Sequence, residues 1–318
     1  MSSEQAVSRQ RPVIGSDRVA AVKDRGAGRR DLKPEPARPT RPKPPRKVKS
    51  LLTKLSLAWL ALVVAAVMFA PILPLHDPSA VDYYAIALPP GQSLDHPLGT
   101  DAIGRDILAR LITGAKVSLA VGLGAVAIAA VLGFVLGITA AFYRGVLDKV
   151  FGGVIDIFLA FPPLVAIIAL SVFLGPSLGT LIVALGLIFT PQVSRVARSA
   201  ALPYVDREFV IAARSMGASE QRILWKEVAP NAVVAVLSYA VVLIALAISA
   251  EGGMSFLGLG VPPPNSSWGS LMGEGRDVLA TSPHVVLMPA AAMFMTLLSL
   301  NFLADFIGRR FDIKEAAL

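Results

Sequence analysis

Six stretches of this chain, residues 55–73, 117–142, 154–174, 181–196, 232–250 and 285–307, are long, apolar and nearly free of charge in their interiors. Each meets or approaches the roughly 20 residues that a helix needs to cross a hydrocarbon core about 30 Å thick. Lipid offers the backbone no hydrogen-bond partners, so a run of this kind folds as a helix that satisfies itself. The expectation is an all-α polytopic membrane protein with six transmembrane helices. The charge content agrees, since only 16% of residues are charged and mean hydropathy is +0.64, whereas a soluble globule carries about a quarter charged residues. The fourth stretch is the weakest because Pro191, Gln192 and Arg195 intrude.

Lysine and arginine set the orientation of such a chain, because they are retained on the inner side. With the N-terminus inside, the inner segments hold 26 of these residues and the outer segments 4, namely Arg105, Arg110, Lys116 and Arg276. Both termini are therefore expected in the cytoplasm. Residues 1–50 alone hold 14 Lys and Arg against 5 Asp and Glu, so the net charge of +8 resides in this tail and does not mark a nucleic-acid binder. Rich in proline and poor in large apolar side chains, the tail cannot offset the entropy of folding and is expected to be disordered. Two roles fit it: contact with anionic lipid headgroups, or a topogenic charge that keeps the N-terminus inside. It is too long before the first apolar run to be a cleavable signal peptide.

Between the fourth and fifth stretches lies a charged, glycine-broken segment, residues 203–231. One helix is expected over 205–216, broken by Gly217, since glycine takes a left-handed conformation at little cost. Ser219 can cap a second helix, with Glu220 in the first turn where the dipole favours an acid, and that helix is expected to stop before Pro230. On it Ile223, Leu224 and Val228 share one face, with Gln221, Arg222 and Glu227 around the rest. This is either an ordinary polar loop or a short helical unit made to dock in a groove.

On the outer side, the connection 74–116 contains a turn and cap at Gly99, Thr100 and Asp101, then an expected amphipathic surface helix over 103–112. The connection 251–284 mixes apolar residues, three consecutive prolines and Trp268, which suggests a segment partly buried among the helices. Within the spans, Gly133 and Gly137 form a GxxxG that serves generic close packing better than a specific dimer. Asp156 and Asp305 lie near inner span ends, where an acid either couples an ion or simply reaches the interface.

Chemistry of its own is missing from the chain. The fragment Gly114-Ala115-Lys116 lacks the rest of a phosphate-binding loop. There is no cysteine, and His76, His96 and His284 lack metal-ligand spacing, so no metal site, nucleophile elbow or triad is expected. A membrane body without an ATP site that displays a helical knob implies a motor in another subunit.

Ile211-Ala212-Ala213, then Gly217, then Ala229-Pro230 resemble the EAA loop of ABC-importer permeases, with Ile211, Glu227 and Ala229 departing from its pattern and Glu208 one turn earlier. His96-Pro97-Leu98-Gly99-Thr100-Asp101 with Gly104-Arg105-Asp106 resembles a segment of the C-type subunit of the dipeptide/oligopeptide/nickel permeases. So do Leu159-Ala160-Phe161-Pro162 after Asp156, and the run 255–261 with Pro263 and Trp268-Gly269. The resemblance spans residues 50–310. It omits the basic tail 1–50 and implies a type I importer permease in a bacterial inner membrane, with a first helix and outer segment 51–114, a permease core 115–307 and a cytoplasmic end 308–318.

It further implies a homologous B-type permease as partner, two cytoplasmic subunits that bind ATP and Mg, and an extracytoplasmic binding protein that delivers peptide, nickel or another small solute. No cofactor is implied for this chain, and lipid is its only other contact. An ion-coupled secondary transporter using Asp156 or Asp305, or a signalling role for the tail, are the competing readings. In the importer scheme the ATPase contact falls on Glu208, Ala212, Ala213, Gly217, Ser219, Arg222, Ile223, Leu224, Glu227 and Pro230. The outer motif is Gly99, Thr100, Asp101, Gly104, Arg105 and Asp106, and Phe256, Leu257 and Trp268 are expected to gate the pathway.

Overall fold

The structure, a computed structural model, describes residues 47–315; the readings of the basic tail lie outside them. Among the described residues the regular structure is helical, with one isolated antiparallel bridge between Thr100 and Asp106. The helices are α1 (Lys47–Phe69), α2 (Ile107–Tyr143), α3 (Gly145–Ala160), α4 (Pro163–Leu174), α5 (Leu178–Val205), α6 (Glu208–Ser215), α7 (Glu220–Ile223), α8 (Ala229–Phe256), α9 (Trp268–Gly275) and α10 (His284–Glu315). Among the described residues five helical stretches are long and apolar enough to cross a membrane, or six where the bent pair of α3 and α4 is counted as one span.

That bend corrects the expectation of one straight helix over 154–174. The chain turns by 90° between α3 and α4, with Phe161 and Pro162 both extended, at ψ 133° and 120°. Consecutive prolines explain it. Proline cannot donate to the preceding turn and pushes the residue before it out of helical geometry, so Phe161 and Pro162 leave the helix while Pro163 opens the next one. The expected surface helix over 103–112 is also corrected. Helix begins at Ile107 and runs unbroken for 37 residues into the span, because residues 113–116 contain nothing that stops it.

The core is built where α2 lies along α5, and α8 packs against both. Gly133 and Gly137 make this approach feasible. A methyl at Gly137 would stand 2.3 Å from the Ser194 carbonyl oxygen and one at Gly133 2.6 Å from Val193 Cβ. The GxxxG thus joins two helices of the same chain, closely enough for backbone to meet backbone. Val121, Ala125, Leu181, Leu185, Ala197 and Leu243 fill the layer between them and are fully buried. α1 and α10 pair beside this core, and α9 inserts between α10 and α8. The connections 70–106 and 257–283 therefore meet at one end of the bundle, and residues 206–228 lie at the other.

Candidate functional site

At the α5–α8 end, α6 finishes in a hydrogen-bonded corner. The Gly217 N–H donates to the Arg214 carbonyl at 3.0 Å and the Ala218 N–H to the Ala213 carbonyl at 3.1 Å, with Gly217 at φ +82°. This double closure is the Schellman pattern, and its left-handed position suits glycine. Ser219 then caps α7, its hydroxyl accepting from the Arg222 N–H at 3.4 Å. Arg214 clamps the corner from outside with a bidentate pair to Glu220, at 2.9 and 3.0 Å.

Beyond Ile223 the helix does not stop before Pro230, as the sequence suggested. It widens into a π turn, Leu224–Val228, in which the Ala229 N–H reaches the Leu224 carbonyl, and then continues as α8 with Pro230 in its first turn. The wider turn moves the carbonyl that a proline ring would strike and takes up its missing donor. Asn231 completes the repair by donating its side-chain N–H to the Glu227 carbonyl at 2.6 Å.

Burial divides this segment in a way that periodicity could not. Ile223, Leu224 and Val228 are 0%, 3% and 0% exposed, and with Val210 and Ala213 they join the core formed by α2, α5 and α8. The apolar stripe expected to face a groove outside is therefore seated on the chain's own helices. Water is expelled first from the nearest apolar surface, which here is covalently attached. Glu208, Ala212, Gly217, Ser219, Arg222 and Pro230 are exposed and Glu227 is half-buried. Large apolar groups that sequence reasoning did not select stand with them: Met216 is 81% exposed and Trp225 48%. Their signal was their position off the buried stripe.

Salt bridges tie the neighbouring turn to α5. Asp148 receives Arg198 bidentately at 2.6 and 2.7 Å, Asp206 receives Arg144 at 2.7 Å, and Asp156 receives Arg195 at 2.6 Å. Asp156 is thus engaged by a neighbour.

At the opposite end, the residues of the 99–106 motif converge around one carboxylate. Asp101 Oδ1 accepts the N–H groups of Ile103 and Arg105, each at 3.0 Å, and its Oδ2 accepts Arg105 Nε at 2.7 Å and Arg110 Nη1. Burial pushes this carboxyl up, but the two backbone donors and the Arg105 guanidinium outweigh it and hold the group below its ordinary value. Both arginines also reach Glu274 on α9, with Arg110 Nη2 at 3.1 and 3.0 Å from its two oxygens. These charges line a cavity of about 210 Å³ floored by Leu271, Val285 and Pro289. Thr100 donates to the Ala85 carbonyl and accepts from the Leu88 N–H at 2.9 Å. Gly99 and Gly104 pass their Cα atoms beside the Leu88 and Asp82 carbonyls. Asp106 caps α2 through the Ala109 N–H at 2.7 Å.

Of the expected gate residues, Phe256 and Leu257 are exposed, whereas Trp268 is buried among Val63, Ala115, Leu271 and Ala292. Its ring N–H donates to the Leu111 carbonyl at 3.0 Å. Beside it lies Glu251, fully buried, which accepts hydroxyls from Ser118 at 3.1 Å and Ser255 at 2.6 Å. Ser118 in turn accepts the backbone N–H of Trp268 at 3.3 Å. Sequence reading placed Glu251 at the start of a loop. The four residues instead lock α9 to α2 and α8.

The family model described as binding-protein-dependent transport system inner membrane component matches residues 133–314. A Brucella suis protein named as a peptide transport system permease is 38% identical over 252 residues, covering 79% of this chain and 84% of that one. The Escherichia coli glutathione transport system permease GsiD is 35% identical over 253 residues, covering 80% and 83%. Among solved structures, an inward-facing form of the MetNI methionine ABC transporter shares the fold, with a TM-score of 0.54, 18% identity, and coverage of 63% of this chain and 95% of that one.

Proposed function

The chain belongs to the family of binding-protein-dependent transport system inner membrane components, and from that premise we propose that it is one permease subunit of an ATP-driven importer of short peptides. The peptide assignment draws on relatives named for peptide and glutathione transport. In this reading a homologous permease forms the other half of the pathway, and an extracytoplasmic protein delivers the substrate. Two cytoplasmic subunits bind ATP and Mg and supply the work. In the same reading both termini and the α5–α8 end face the cytoplasm, an orientation supported by the concentration of lysine and arginine on that side.

The observation that carries the mechanism is the division of residues 203–231 into a buried base and an exposed crown. Ile223, Leu224 and Val228 anchor the unit in the core of α2, α5 and α8. Met216 and Trp225 stand out of it beside Glu208, Ala212, Ser219 and Arg222. A crown of this kind offers an ATPase cleft large apolar contacts with a polar rim, the composition that carries interface energy. Because the base is continuous with α8 through the π turn, displacement of the crown is transmitted along a helix, as a rigid-body transition needs. Of the two acids on which an ion-coupled reading would rest, Asp156 and Asp305, the first is paired with Arg195.

The test is Met216→Glu combined with Trp225→Glu in the transporter reconstituted with its ATPase subunits. ATP-dependent peptide uptake should fall by at least about tenfold, the effect of losing one hot spot, while the chain still inserts in the membrane. Undiminished uptake would remove the coupling role. Uptake by this chain alone in ATP-free liposomes would overturn the importer reading as a whole.

A further inference from the structure

Three histidines and no cysteine occur in the 318 residues, and the fold brings two of the three together. His76 follows the end of α1, and His96 lies in the connection to α2. Their ring centroids are 4.9 Å apart. With Asp106, the cap of α2, they offer ligand atoms that all lie within 4.8 Å of one another. We infer that His76, His96 and Asp106 form a binding site for a divalent transition-metal ion of the Zn²⁺ class.

The chemistry of the donors selects that class. Imidazole nitrogen with carboxylate oxygen suits zinc, nickel, cobalt and copper, whereas calcium and magnesium take oxygen alone. Ligands at about 2.0–2.2 Å from one ion stand roughly 3–4 Å apart. His96 Nδ1 and Asp106 Oδ2 share a hydrogen bond at 2.9 Å, so an ion that takes the place of the shared proton finds two ligand atoms already close to one edge of such a polyhedron. His76 is exposed, so its side chain is free to turn toward the other two ligands and leaves an entry path.

A second carboxylate completes the surroundings. Asp82 Oδ2 lies 3.6 Å from His96 Nε2, on the far side of the same ring. That is the position from which an outer carboxylate orients a metal-bound imidazole. Asp82 and Asp106 together balance the charge of a divalent ion. Asp106 Oδ1 keeps its bond to the Ala109 N–H, so ligation through Oδ2 does not uncap the helix. A bound ion would pin the end of α1 to the start of α2 across the intervening connection.

The full-length chain, purified in detergent with an affinity tag free of histidine, is titrated with Zn²⁺ by calorimetry and followed by thermal unfolding. One saturable site per chain is expected, with Zn²⁺ raising Tm. His76→Ala, at an exposed position, should keep the helical circular dichroism of the parent yet weaken binding by roughly tenfold or more and abolish the Tm response. Absence of saturable binding in the parent chain overturns the site. Equal affinity or an equal Tm response in the His76→Ala variant does so as well.

Discussion

Asp101 concentrates more of the structure than any other single side chain at its end of the bundle. Two backbone N–H groups and two guanidinium groups point at one carboxylate, and both arginines extend the network to Glu274 on α9. Removing one partner of a buried pair costs about 3–5 kcal/mol, because the remaining charge stays buried without compensation. Asp101→Asn should fall at the lower end of that range, since Arg110 keeps Glu274. The pH dependence has a definite sign. A carboxyl with a folded-state value below its ordinary one stabilises the fold above the ordinary value, and that contribution is lost as pH falls through the folded one. The Tm difference between parent and Asp101→Asn should therefore be largest near neutral pH and narrow below about pH 4. A difference that stays constant down to acid pH would show that the Asp101 charge is not what holds this end together.

The contact between α2 and α5 is the element-scale determinant. Gly133 and Gly137 let two backbones touch, and no side chain fits at Gly137 without displacing the Ser194 carbonyl. Gly137→Leu should cost at least about 1–3 kcal/mol, the usual range for overpacking, read as lowered Tm and reduced yield of folded protein in detergent. An unchanged Tm would mean that the two helices can separate at no cost. The helices themselves were legible from hydropathy, because lipid-facing and core-facing residues are both apolar and a span declares itself by length. Their interruptions were less so. Pro162-Pro163 sat inside an apolar run that read as continuous, although proline pairs carry a local steric signal strong enough to break it. Pro230 misled in the opposite direction, since a π turn and the Asn231 side chain absorb what a proline ordinarily ends.

For the whole molecule, the proposed topology is open to a direct measurement, because the natural chain has no cysteine to remove. Single cysteines at Ser219 and at Thr281 should react with a membrane-impermeant thiol reagent from opposite faces, Ser219 only after the cytoplasmic side is opened. Labelling of both from one face would reject the arrangement. The linear order of residues was enough to show the helical class, the approximate place of the apolar stretches, the confinement of the basic charge to the tail, and the family motifs, since these depend on sums and spacings over neighbouring positions. It was also enough to foresee the Gly217 corner, where the left-handed residue and the Ser219 cap act locally. Only the tertiary structure decided that Ile223, Leu224 and Val228 turn inward while Met216 and Trp225 turn out, that Glu251 is buried with Ser118 and Ser255, and that His76 meets His96 and Asp106. Each of these rests on which distant segment arrives alongside. Burial and pairing are properties of that arrival, and a periodic stripe along one helix cannot say whether its own chain or another will cover it.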